Sequence, residues 1–324
     1  MPVIETKDVA KSYRRIQALK GVSLSVEKGE IYGLLGQNGA GKTTLIKILL
    51  GITRNWRGEA RLLGQPAQTS GARRRVGYLP EDHRFQEYHT GYSLLDFYGM
   101  LYGLPRRDRQ RRIPEVLELV GIRERMGYKI RTYSKGMKQR LGIAQTIFHD
   151  PEVIFLDEPT DGVDPIGRRE IRVVMQRLKE QGTTIFLNSH LLGEVEIICD
   201  RVAIMQRGKI VREGNIAALT RQKGLFIIAL APGQIFPKEE VDLVLKKQLA
   251  GGLDQAIQLP GTNPADASEA SIRPTGDFWE IGLLEGQSID PVIDLIRNRG
   301  LNLRHLVEKR QTLEDLFVQT VQNT

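Results

Sequence analysis

The sequence predicts an α/β protein: a largely parallel sheet with antiparallel strands at its start, a helical insertion, and a small α+β appendage at its C-terminal end. Three observations predict it. Strand-length apolar runs at 31–35, 153–156 and 183–188 alternate with stretches of helical periodicity, the pattern of βα units around a buried parallel sheet. From residue 92 to about 127 the helical pattern continues with no strand to interrupt it. Beyond about residue 224 the composition shifts, so we expect a main domain over 1–222, with a helical subdomain at about 85–148, and an accessory domain over 223–324.

Bulk properties bound the function. The chain has 324 residues, 40% of them apolar, which is enough for one large core and a smaller one and argues against disorder. No apolar run approaches the ~20 residues that cross a bilayer, and the start lacks the apolar stretch of a secretory signal. We therefore expect a soluble, cytoplasmic protein. The single cysteine, Cys199, excludes an internal disulfide or a multi-thiolate metal site. A net charge of +8 is concentrated in Arg73–Arg75 and in Arg106, Arg107, Arg109, Arg111 and Arg112. That excess suits a solvated helix face or an anionic partner, and charge alone does not separate them. No RNA-binding aromatic motif or helix-turn-helix signal is present, so no nucleic-acid partner is expected.

In chain order, residues 3–9 and about 22–26 alternate as strands, and Gly29-Glu30 turns into the apolar strand 31–35. Gly36-Gln-Asn38-Gly39-Ala-Gly41 is a glycine-rich turn, and 43–50 has helical spacing. Strands follow at 58–63 and 75–79. Helical periodicity marks 93–102 and 111–120, with Pro105 and Gly121 as breakers. Ser134 is an N-cap candidate for a helix whose Leu141, Ala144, Gln145 and Phe148 share one face. The strand 153–156 stops on Asp157-Glu158. A helix at 166–181, a strand at 183–188 ending in Ser189-His190, a helix at 191–199 and strands at 202–205 and 209–213 complete the main domain. In the appendage we expect strand 225–230, helix 238–249, loop 252–271, strand 277–284, helix 291–299, strand 301–307 and helix 312–321, in a ferredoxin-like order.

Strand, glycine loop and helix, with Lys42-Thr43-Thr44 at the helix start, form the context in which G-x-x-x-x-G-K-[ST] means a phosphate-binding loop. Glycines let successive backbone N–H groups approach a phosphate chain, and the helix N-terminus points its dipole at the same anion. Lys42 supplies charge for the β- and γ-phosphates, and Thr43 a hydroxyl for Mg²⁺. In a parallel sheet the strand tips share one edge, so the loop, Asp157-Glu158 and His190 converge on one nucleotide. Asp157 is placed to hold Mg²⁺, Glu158 to orient the attacking water and accept its proton, and His190 to register the γ-phosphate. Ser134 and Gly136, 92 and 94 residues after the loop lysine, open a second anion-binding helix start. It serves either as a simple cap or to bind the nucleotide of a second copy.

Together these residues make residues 1 to about 220 resemble an ATP-binding cassette (ABC) transporter ATPase. Gly36 to Thr44 is similar to Walker A, 153–158 to Walker B with its catalytic glutamate, and 133–139 to the signature motif. Residues 161–164 resemble the D-loop, His190 the switch histidine, and Tyr13 the adenine-stacking aromatic. The resemblance implies a P-loop NTPase cassette fold with ATP and Mg²⁺. It also implies a head-to-tail homodimer sandwiching two ATP molecules, in which Ser134 and Gly136 of one copy close on the γ-phosphate held at Lys42 of the other. A permease engaged through the helical insertion is implied as well. The chain has no membrane span, so that permease is expected as a separate integral-membrane polypeptide, with this subunit peripheral on the cytoplasmic face. The C-terminal extension and its ending, Thr312-Leu-Glu-Asp-Leu-Phe317, are similar to those of exporter-type members.

Two positions depart from the family pattern. The signature serine is followed by Lys135, Gly136 and Met137 instead of two glycines and a glutamine, and Lys135 adds charge near the anion. The Q-loop glutamine is replaced by Glu81, which can contact Mg²⁺ or the permease but repels a γ-phosphate as an amide does not. Two other readings compete with an exporter subunit. One is a soluble ABC-type ATPase acting on ribosomes or DNA, and the other a nucleotide-sensing regulator with little turnover.

Overall fold

The computed structural model describes residues 2–220, 224–250, 271–275, 278–284, 287–309 and 312–322. They form two compact units, one comprising residues up to Ala218 together with Leu313 onward, the other Leu219–Thr312.

The first unit begins with β1 (Ile4–Tyr13) and β2 (Ile16–Val26), followed by β3 (Ile31–Leu35) and α1 (Lys42–Leu49). Next come β4 (Arg57–Leu62), β5 (Gln65–Pro66), α2 (Ser70–Arg73) and β6 (Val76–Leu79). The helical stretch is α3 (Gly91–Leu101), α4 (Arg106–Leu119) and α5 (Lys135–Ile147). The chain then alternates through β7 (Val153–Asp157), α6 (Pro165–Glu180), β8 (Thr184–Asn188), α7 (Leu192–Ile198), β9 (Arg201–Gln206), β10 (Lys209–Asn215) and α8 (Ile216–Leu219).

Two sheets organise these elements. The central one runs β10-β9-β3-β8-β7-β6, parallel throughout except for the antiparallel edge strand β10. Every residue of β3, β7 and β8 is buried, as expected of strands covered on both faces. The second sheet, β2-β1-β4-β5, is antiparallel. The hairpin of β1 and β2 is longer than the sequence pattern suggests. Its Tyr13 end is exposed, so it shows no burial alternation, and backbone pairing carries it to the Tyr13↔Ile16 turn.

The helical stretch meets the sheet through α5. Gly77 on β6 lies so close to α5 that a Cβ there would stand 2.3 Å from the Thr146 carbonyl oxygen. Local chemistry sets the helix starts. The Ser134 hydroxyl accepts from Met137 N at 3.2 Å, and the Asp164 carboxylate accepts from Gly167 N at 2.7 Å ahead of Pro165. α4 starts five residues earlier than its apolar periodicity indicates, because its first turn is the solvated arginine run, and it accommodates Pro114 within its length.

The second unit contains β11 (Leu225–Leu230), α9 (Lys238–Ala250), β12 (Ser271–Thr275), β13 (Phe278–Gly282), α10 (Asp290–Asn298) and β14 (Leu303–Glu308). Its antiparallel sheet runs β12-β13-β11-β14, a ferredoxin-like order. Its own core includes Ile228, Val241, Ile281, Val292 and Ile296, with Phe236 stacked on Trp279 at 4.7 Å. Of the expected loop, residues 252–270 lie outside the described residues, and Ser271 opens β12. The last helix, α11 (Leu313–Gln322), groups with the first unit, whereas sequence order alone assigns it to the appendage. The reason is packing: Leu313 and Leu316 are buried and α11 lies against α7. Among the described residues, no helix is long and apolar enough to cross a membrane.

Candidate functional site

A cleft of about 1080 Å³ opens at the tips of β3, β7 and β8. Gly36, Asn38, Gly39, Gly41, Lys42, Thr43 and Thr44 form its floor, and Glu81, Glu158 and His190 stand around it. The floor is built for close backbone approach. A Cβ on Gly36 would meet the Met205 carbonyl oxygen at 2.3 Å, and one on Gly41, at φ 111°, would meet that of Ala18 at 2.6 Å. Gly41 caps α1, whose N-terminus opens into the cleft with no acidic residue in its first turn. Lys42 is buried and folds back, donating to the Gly36 carbonyl at 2.6 Å and to that of Gln37 at 3.3 Å. Burial pulls its pKa down, while Glu158, Asp157 and Glu81 oppose that shift.

Asp157 lies beneath the floor, 1% exposed. Burial raises its pKa, and a hydrogen bond from the Asn188 amide works against the rise. Register produces that bond: Asp157 and Asn188 are paired residues of the parallel strands β7 and β8, so their side chains share one face. Asn188 itself is 2% exposed and borders the cleft, and its buried Oδ1 has no hydrogen-bond partner among the described residues. Sequence reasoning missed it. A polar residue ending an otherwise apolar strand beside the acid-tipped one was the available signal.

Glu158 follows at φ 52°, a left-handed conformation that costs a non-glycine residue ~1–3 kcal/mol. The turn aims its carboxylate at the tip of β8, where Oε2 is 2.8 Å from His190 Nδ1 and accepts from His190 N at 3.3 Å. Its backbone is tied too, with its N–H donating to the Asn188 carbonyl at 2.9 Å. Glu158 and His190 are thus one hydrogen-bonded unit. Glu81 faces the cleft as a carboxylate and bears electrostatically on both Lys42 and Asp157.

Besides Asp157, three expected site residues stand outside the cleft lining. Tyr13 is on the β1–β2 hairpin, whose second arm lines the cleft through Ile16, Gln17 and Ala18. The Tyr13 ring carries the Lys11 ammonium 4.8 Å from its centre. Ser134 and Gly136 open α5, away from this chain's own phosphate loop lining. Lys135 is not among the lining residues either, and pairs at 3.2 Å with Asp161, an exposed residue at the cleft's rim.

The groups present fit a nucleoside triphosphate with a divalent ion. A glycine loop with no room for a Cβ at Gly36 or Gly41, an ammonium, a threonine hydroxyl and a buried carboxylate supply what phosphates and Mg²⁺ require. The buried Asn188 acceptor awaits a donor such as a coordinated water.

Comparison with known proteins agrees with this geometry. Residues 19–161 match a family model described as ABC transporter. The chain is 39% identical over 325 residues to the uncharacterized ABC transporter ATP-binding protein sll0415 of Synechocystis sp., covering 98% of this chain and 84% of that one. It is 41% identical over 223 residues to the bacitracin transport ATP-binding protein BcrA of Enterococcus faecalis, covering 68% and 71%. A solved structure described as the ATP binding subunit of an ABC transporter superposes with a TM-score of 0.62 at 31% identity, over 68% of this chain and 92% of the other.

Proposed function

The chain belongs to the ABC transporter ATP-binding protein family, and on that premise we propose that it is the ATP-hydrolysing subunit of an exporter. In this reading it works as a head-to-tail homodimer on a separately encoded membrane permease, peripheral on the cytoplasmic face. The observation that carries it is the division of the motifs. Lys42, Glu158 and His190 line one cleft, with Asp157 beneath it, while Ser134 and Gly136 lie apart on another helix start. A site so divided is completed by a second copy.

The loop amides and the α1 N-terminus hold the phosphates, with Lys42 as countercharge. Glu158 orients the attacking water and accepts its proton, and His190 fixes the Glu158 carboxylate and donates toward the γ-phosphate. Thr43, Asp157 and Glu81 would hold Mg²⁺, which when bound neutralises charge on the β- and γ-phosphates. Hydrolysis reopens the dimer. The relative named for bacitracin transport supports a transport role, and export follows the likeness of the C-terminal extension.

Replacing Glu158→Gln removes the proton acceptor but keeps the shape. Turnover is expected to fall by about 10²-fold or more, with an ATP-bound dimer accumulating on a sizing column. A variant that stays monomeric at saturating Mg-ATP overturns the sandwich. Glu81 favours a second reading, a nucleotide-sensing regulator, because its carboxylate faces the cleft where a phosphate would sit. Steady-state ATP hydrolysis by the unaltered protein decides between them: sustained turnover excludes the regulator.

A further inference from the structure

After the second unit the chain returns to the first at Leu313, and α11 docks on α7, the helix that follows His190. Leu313 is fully buried, and its backbone N–H donates to the Glu196 carboxylate of α7 at 3.0 Å. A ten-residue helix is marginal in water by itself, so this docking is what maintains it. Phe317 lies one turn beyond Leu313 on the same helix face. It is half-buried and lines the nucleotide cleft that Lys42, His190 and Leu192 also line. Glu314, from the same helix, borders a neighbouring hollow with Arg168, His190 and Leu191. Two residues of α11 therefore border the turn that carries His190, although some 120 residues separate them from it in sequence.

We propose that Phe317 is a positioning residue of the nucleotide site: it gives the cleft an apolar wall beside His190, and its helix holds the His190 turn against Glu158. This rests on the ATPase reading above. It has a reciprocal consequence. If a seated α11 favours bound nucleotide, bound nucleotide must favour a seated α11 by the same factor. The whole excursion Leu219–Thr312 is spliced between the cassette and this helix, so a ligand or partner that unseats α11 loosens the nucleotide.

Amide hydrogen exchange of the full chain, with and without Mg-ADP, tests this directly, alongside titration with a fluorescent ATP analogue. In the unaltered protein, Mg-ADP is expected to slow exchange in 313–322 as well as in 36–44. Phe317→Ala is expected to abolish the first protection, keep the second, and weaken nucleotide binding by about 2- to 10-fold, with the ligand-free melting temperature unchanged. Phe317→Leu, which keeps an apolar side chain there, is expected to recover most of the affinity. Exchange in 313–322 that is indifferent to nucleotide, or a Phe317→Ala chain that binds like the unaltered one, overturns the proposal. Should 36–44 gain no protection either, the ATPase reading falls and this one falls with it.

Discussion

Two glycine-bearing helix starts in this chain look alike in sequence and differ in what requires their glycines. In the phosphate loop the requirement is internal. A side chain on Gly36 or Gly41 would run into the carbonyl oxygens of Met205 or Ala18. At the start of α5 it is not, because a Cβ on Gly136 would meet only the Val163 Cγ1 at 3.4 Å, an ordinary contact, and its φ is not positive. The fold demands the first glycines and tolerates a side chain at the second. In the sandwich we propose, Gly136 would leave room for a γ-phosphate carried by a second copy.

The sharpest way to break this contrast is to give both sites the same methyl group. Gly36→Ala must displace backbone, so we expect a lowered melting temperature and loss of binding to a fluorescent ATP analogue. Gly136→Ala is expected to leave thermal unfolding within about 0.5 kcal/mol of the unaltered protein, while ATP turnover drops by about 10-fold or more. A Gly136→Ala chain with full turnover would show that nothing external needs that space.

A smaller effect is expected at the junction of β7 and β8. Asn188→Ala strips the buried Asp157 carboxylate of its amide donor, which costs ~1–3 kcal/mol in urea denaturation. It is also expected to raise the Mg²⁺ concentration at half-maximal nucleotide binding, leaving Mg²⁺-free binding as it was. Ser134→Ala comes next. Loss of the cap to Met137 costs ~1 kcal/mol by denaturant titration. Beyond that cost, the sandwich reading expects turnover to fall more than stability explains. The smallest change belongs to Lys135→Ala. Its exposed pair with Asp161 is worth at most about 1 kcal/mol and fades with salt, so unfolding midpoints at low and high salt should nearly coincide with those of the parent.

Legibility followed the range of the interactions. The phosphate loop was readable because its requirement is local: glycine spacing, a lysine and a helix start within ten residues. The acid-tipped strand and His190 were readable because a parallel sheet brings strand tips to one edge. The N-cap at Ser134 needed only a side chain three residues from its partner. The Lys135–Asp161 pair was not legible, because Asp161 lies 26 residues away on another element. The boundary at the last helix was equally hidden, since Leu313 and Leu316 bury against a helix more than a hundred residues earlier.

By itself, then, the sequence determined which elements the candidate side chains ride on, because backbone propensity and residue spacing act over a few positions. Tertiary structure alone decided that Asn188 shares a face with Asp157, that Glu158 twists to φ 52° and meets His190, and that Phe317 returns to the cleft. Those outcomes depend on strand register and helix docking, which are settled only when distant segments compete for the same buried surface.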